Sequence, residues 1–129
     1  VFPEREVVCL AGDGCFMMNG QEMATAVQYG LNLIVLVINN GMLGTIRMHQ
    51  EKSYPRRVHG TALHNPDFAA LARAYGAFGA KVEKTSDFPD LLAEARKAGR
   101  PALLEVVVDP EALTPNASLS EIRNHALKN

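Results

Sequence analysis

Charge of one sign is what this chain most lacks. Thirteen basic and 14 acidic residues leave a formal net charge of −1, so no overall field draws it to nucleic acid or to an anionic membrane. Cysteine is scarce as well. Cys9, in an apolar run, and Cys15, just after a Gly-Asp-Gly turn, cannot build a disulfide framework; they are expected as small buried residues of a protein from the reducing cytoplasm. Long apolar runs are missing: the longest, residues 33–38 with Leu31 just before it, falls far short of the roughly 20 residues of a membrane span and reads as a core strand. There is no internal repeat and no low-complexity tract. Nor does a basic-then-apolar leader open the chain, which starts at Val1 in what reads as a loop entering a strand. The expectation is a piece excised from a longer protein.

What is there fits one core, since 129 residues suffice for a single domain but not for two ordinary ones. Residues 6–11 and 33–38 are β-branched runs without polar alternation, as expected of parallel strands covered on both faces. Residues 102–108 read as another, although Glu105 interrupts the apolar pattern. Between the first two, Met23, Ala26, Val27 and Gly30 fall at helical spacing, with the glycine placed to stop the helix. A further helix is expected after Asn65 as cap and Pro66 at the first position, with the stripe Phe68, Leu71, Ala72 and Tyr75 and Gly76 as its end. A short strand near residues 78–82 follows, then a helix capped by Ser86 or Asp87, carrying Phe88, Leu91, Leu92 and Ala95 and closed by Gly99. The tail, residues 110–129, is polar until Ser118 and Glu121 offer a capping box for a last short helix. Strands alternating with helices predict an α/β fold with a doubly wound parallel sheet and helices on both faces.

In that architecture ligands bind at the carboxyl ends of strands, which singles out residues 12–19 and 39–64. Gly12-Asp13-Gly14 stands between a buried strand and a helix, where glycines permit close backbone approach and amides near the helix start can meet an anion; by itself the triplet reads sooner as an ordinary turn. A dinucleotide fingerprint is excluded, because the third glycine it needs is Met17. The next strand ends in Asn39-Asn40-Gly41, also a turn by composition. If the two strands are neighbours, an amide oxygen comes beside the Asp13 carboxylate. A carboxylate, an amide oxygen and a backbone carbonyl form a hard, all-oxygen, partly filled shell that suits Mg²⁺ when phosphate oxygens complete the octahedron.

Gly12-Asp13-Gly14, the 24 residues 15–38 and Asn39-Asn40 together resemble the signature of thiamine diphosphate (ThDP)-dependent enzymes. Residues 20–26 and 65–68 are similar to the acetolactate synthase and decarboxylase branch, so the likeness covers nearly the whole chain. The resemblance implies that residues 1–129 form a C-terminal diphosphate- and Mg²⁺-binding domain. It implies that Asp13 and Asn40 bind the metal through side chains and Met42 through its carbonyl. The diphosphate is implied to lie against backbone around Gly12, Gly14 and Cys15 and around Leu43, Gly44 and Thr45. Cys15 departs from the serine or alanine frequent there, which leaves its side-chain role open.

By the same resemblance the glutamate that activates the cofactor belongs to a pyrimidine-binding domain, of the same or a partner subunit, in a homodimer or homotetramer acting on a 2-keto acid. No catalytic residue is then expected in this chain; Glu22 is a packing or hydrogen-bonding residue. His49 stands where acetohydroxyacid synthases carry tryptophan, and Ile46 where pyruvate decarboxylases often carry glutamate. Carboligation, decarboxylation and C–C lyase chemistry therefore all stay open. His49, His59 and His64, in what reads as a long loop after Asn40, either line a site or are solvated, and their spacing is no metal-ligand pattern. Arg47, Arg56 and Arg57 steer a carboxylate or solvate the loop; His125 is expected in solvent. A Mg²⁺-dependent phosphoacceptor receiver domain is the alternative from another class, but it needs an acidic pair ending an earlier strand and a lysine ending a later one. Only Glu4 and Glu6 precede the first strand, and residues 102–108 lead to Asp109-Pro110.

Overall fold

A computed structural model describes residues 4–128; the expected loop at Val1 lies outside the described residues. In chain order the elements are β1 (Val7–Gly12), α1 (Asp13–Asn19), α2 (Glu22–Gln28), β2 (Leu33–Asn39), α3 (Gly44–Ser53), α4 (Phe68–Ala74), β3 (Phe78–Val82), α5 (Phe88–Lys97), β4 (Ala102–Val107) and α6 (Leu119–Ala126). Residues divide by contact into two compact units, 1–39 with 65–107, and 40–64 with 108–129.

The first unit is a parallel sheet in the order β1-β2-β4-β3. Because side chains alternate across a strand, the buried runs of β2 and β4 feed two cores. Val35, Val37 and Leu103 pack with Phe16, Met23, Phe68 and Ala72 of α1, α2 and α4, where the Phe16 and Phe68 rings meet edge-on at 5.6 Å. Ile34, Ala102 and Leu104 pack with Val82 and with Ala95 of α5. Helices thus cover both faces, as expected. Leu103, Leu104 and Phe68 are fully enclosed, each contributing about 1.5–3 kcal/mol. α4 comes so close to β3 that a Cβ on Gly79 would lie 2.2 Å from the Ala69 carbonyl oxygen.

Four expectations about this unit need correction. Among the described residues β1 is an edge strand, not covered on both faces: Leu10 is 71% exposed and Val7, Val8 and Cys9 are open too, because β1 pairs with β2 alone there and α5 lies over β3 and β4. Cys9 and Cys15 are accordingly exposed rather than buried. The spacer helix is two helices, separated where Met23 N–H reaches Gly20 and Ala24 N–H reaches Gln21 at 3.1 and 2.9 Å, a tightened turn of the i→i+3 kind; Gly30, at φ 60°, follows the second. Finally, the cap of α4 is Asp67, whose Oδ1 accepts from the Ala70 amide at 2.7 Å. Asn65 is released for another task.

In the second unit, the segment expected as a loop holds α3, which packs on α6. Its helicity is not written in apolar spacing. Arg47 and Glu51 form an i,i+4 ion pair at 2.9 Å, and Glu51, 1% exposed, also lies 2.9 Å from Arg123 Nε of α6. That Nε–H does not aim at the carboxylate, so the contact to Arg123 works through charge. The Glu51 carboxyl is pushed up by burial, yet the close Arg123 guanidinium, the Arg56 amide and Arg47 hold it down at about 2. Ser118 and Glu121 form the expected capping box at the start of α6. Among the described residues no helix is long and apolar enough to cross a membrane.

Candidate functional site

β1 and β2 run in register with Gly12 opposite Ile38, so Asp13 and Asn39 stand at the carboxyl ends of adjacent strands, where the neighbouring-strand expectation put them. Asp13 is the first residue of α1 and only 3% exposed. A buried carboxylate is costly unless hydrogen-bonded, and Asp13 is: Oδ1 accepts from the Gly14 amide and Oδ2 from Asn65 Nδ2, both at 2.8 Å. The Gly14 amide, one of those expected to meet an anion, points at the Asp13 carboxylate here. Gly12 has φ −69° and ψ 158°, open to any residue, so what it offers is small size rather than a special turn.

Behind Asp13 the polar contacts continue into the sheet. Asn65 Nδ2 also donates to Asn39 Oδ1 at 3.0 Å, Asn39 Nδ2 donates to Glu105 Oε1 at 2.8 Å, and Glu105 Oε2 accepts from the Phe68 amide at 3.1 Å. Glu105, the residue that broke the apolar pattern of β4, is 2% exposed, with Lys81 Nζ at 3.8 Å. Neither Asn65 nor Glu105 was expected at the site from the sequence. The carboxylate in a buried strand was the available signal for Glu105; Asn65 looked like a cap.

In the second unit, Asn40 Oδ1 accepts from the Met42 amide at 3.1 Å, which leaves that oxygen a second lone pair. Gly41 between them sits at φ 69°, where a side chain would be strained. Residues 41–43 are pinned to 61–63: the Leu43 amide donates to Thr61 O at 2.8 Å, the Leu63 amide to Gly41 O at 2.9 Å, and Met42 bridges Ala62. Leu43 then precedes α3 as its cap residue, Gly44 opens the helix, and Thr45 is exposed. A Cβ on Gly44 would lie 2.8 Å from Asn40 Nδ2 and 2.9 Å from Leu113 Cδ2; glycine there leaves room for the Asn40 carboxamide. Of the histidines, His49 and His125 line a groove of about 900 Å³ with Met48, Lys52 and Ile122, whereas His59 and His64 are exposed. Arg47 is spent on Glu51, and the Arg57 guanidinium lies over the Tyr54 ring at 5.8 Å.

Such an arrangement defines a parallel α/β domain whose polar residues gather where the strands end. The chain belongs to the thiamine pyrophosphate enzymes: the family model for their C-terminal TPP binding domain matches residues 1–106. It is 39% identical over 108 residues to the acetolactate synthase large subunit of Parasynechococcus marenigrum, covering 82% of this chain and 18% of that protein. To the probable acetolactate synthase large subunit of Methanococcus aeolicus it is 32% identical over 125 residues, covering 93% and 21%. Among solved structures, benzoylformate decarboxylase from Polynucleobacter necessarius superposes with a TM-score of 0.78 at 32% identity, over 86% of this chain and 21% of that one. The chain therefore spans about a fifth of the length of these relatives. With this family, the receiver-domain alternative falls.

Proposed function

We propose that this domain holds the diphosphate end of ThDP through Mg²⁺, within an enzyme that decarboxylates a 2-keto acid and joins the product to a second carbonyl, as the acetolactate synthase relatives suggest. The observation that carries the reading is Asp13, a buried carboxylate at a strand's carboxyl end, held in one orientation by Gly14 and Asn65. Asp13, Asn40 and the Met42 carbonyl are the proposed metal ligands; their all-oxygen chemistry fits a hard cation. Backbone at Gly12, Gly14, Cys15, Leu43, Gly44 and Thr45 is the proposed diphosphate contact. When bound, ThDP supplies the carbanion chemistry, and the protein's share is binding, orientation and electrostatics.

The activating glutamate and the remaining pocket walls are assigned to a pyrimidine-binding domain of the same or a partner subunit in a homodimer or homotetramer of the cytoplasm, so residues 1–129 alone turn over no 2-keto acid. A decarboxylase or C–C lyase is the second reading, supported by the likeness to benzoylformate decarboxylase. Titration calorimetry of the full-length protein tests the metal assignment: Asp13→Ala abolishes Mg²⁺-dependent ThDP binding, and unchanged affinity refutes it.

A further inference from the structure

Glu105 is out of place as a fold residue. It sits in an inner strand between Val37 of β2 and Lys81 of β3, where an aliphatic side chain would pack without the desolvation cost a buried carboxylate carries. Its hydrogen bonds, followed outward, are donated inward by Asn39 and then by Asn65, which also donates outward to Asp13. A carboxylate oxygen accepts and cannot donate, so Asn39 must turn its NH₂ toward Glu105 Oε1, at 2.8 Å. The Asn39 oxygen then faces Asn65, whose NH₂ donates to it at 3.0 Å. The other hydrogen of that NH₂ meets Asp13 Oδ2, at 2.8 Å. An asparagine carboxamide has two nearly isosteric orientations, and the carboxylates at the two ends of the chain, Glu105 and Asp13, call for the same one. Glu105 Oε2 is in turn fixed by the Phe68 amide at 3.1 Å, a donor at the start of α4 that no turn of its own helix can satisfy.

We propose that Glu105 is a positioning residue: acting through Asn39 and Asn65, it sets the rotamer of the Asp13 carboxylate and so the affinity of the site for Mg²⁺. This rests on the assignment of Asp13 to the metal. Residues behind a ligand commonly change metal affinity by about 10–100-fold. Replacing Glu105 with glutamine keeps its size but gives it an NH₂, which allows Asn39 to reverse and to present a donor to Asn65.

The test is Mg²⁺ titration of the full-length protein by calorimetry at saturating ThDP, with urea unfolding of the cofactor-free protein alongside. Glu105→Gln and Asn65→Ala are each expected to raise the Mg²⁺ Kd about 10- to 100-fold, and the double variant no further than the weaker single, because both break one chain. Asn65→Ala leaves the contacts of Glu105 with Asn39 and Phe68 in place, so it decides the matter if Glu105→Gln does not fold. An Mg²⁺ Kd within twofold of the parent in Asn65→Ala, or effects of the two changes that multiply, overturns the proposal. Asp13→Asn separates the layers. If it weakens Mg²⁺ while Asn65→Ala does not, positioning alone is wrong; if Asp13→Asn leaves Mg²⁺ binding intact, the metal assignment and the proposal fall together.

Discussion

Removing the carboxylate of Glu51 should loosen α6 from α3. Deleting one partner of a buried ion pair costs about 3–5 kcal/mol when the remaining charge stays dry. Here Arg47 and Arg123 are 19% and 24% exposed, so both partly rehydrate and the loss falls to about 2–3 kcal/mol. The titration of the group leads to a similar figure. Its carboxyl drops from 4.5 to about 2, which at about 1.4 kcal/mol per pH unit is worth roughly 3 kcal/mol. Glu51 Oε2 also accepts from the Arg56 amide at 2.9 Å, holding that residue at φ 64°, a conformation that costs a non-glycine residue energy. Glu51→Ala should therefore speed amide exchange of residues 119–126 about 30- to 150-fold at neutral pH, with Glu51→Gln less severe because it keeps the acceptor. The sign with pH follows from a depressed folded value. The stabilisation is complete above the ordinary 4.5 and fades as pH falls toward 2, so parent and Glu51→Ala should converge in exchange rate across that window. Equal protection of α6 in parent and variant at pH 7 would refute the reasoning.

Two other perturbations test the packing beneath and beside the site. Gly79→Ala puts a methyl 2.2 Å from a backbone oxygen of α4, which no rotamer relieves; a loss of about 1–3 kcal/mol, or more, is expected in urea unfolding, and an unchanged midpoint would show that α4 rides farther from β3. Gly44→Ala drives a Cβ to 2.8 Å from Asn40 Nδ2; displacement of that carboxamide should weaken Mg²⁺-dependent ThDP binding in the full-length protein by calorimetry, while fold stability, measured by thermal unfolding without cofactor, falls by no more than about 1–3 kcal/mol.

The sequence by itself determined the alternation of strands and helices, the parallel sheet with helices on both faces, and the placing of Asp13 and Asn39 at the ends of two neighbouring strands. Each rests on local features: β-branched runs, helical spacing ending at Gly30 or Gly76, the Ser118–Glu121 box. Tertiary structure alone decided what depends on neighbours. Among the described residues, strand order leaves β1 at an edge and Cys9 exposed. α3 escaped notice because Arg47–Glu51 and the Arg123 contact, not an apolar stripe, hold it against α6. Asn65 reads as a cap in one dimension, but Asp67 caps α4, and the fold brings Asn65 across 52 residues to Asp13. Glu105 reads as a flaw in a strand until Asn39, 66 residues earlier, and Phe68, 37 earlier, close around it. Hydrogen bonds between residues so far apart leave no periodicity in sequence, because their geometry exists only once the sheet and α4 have packed.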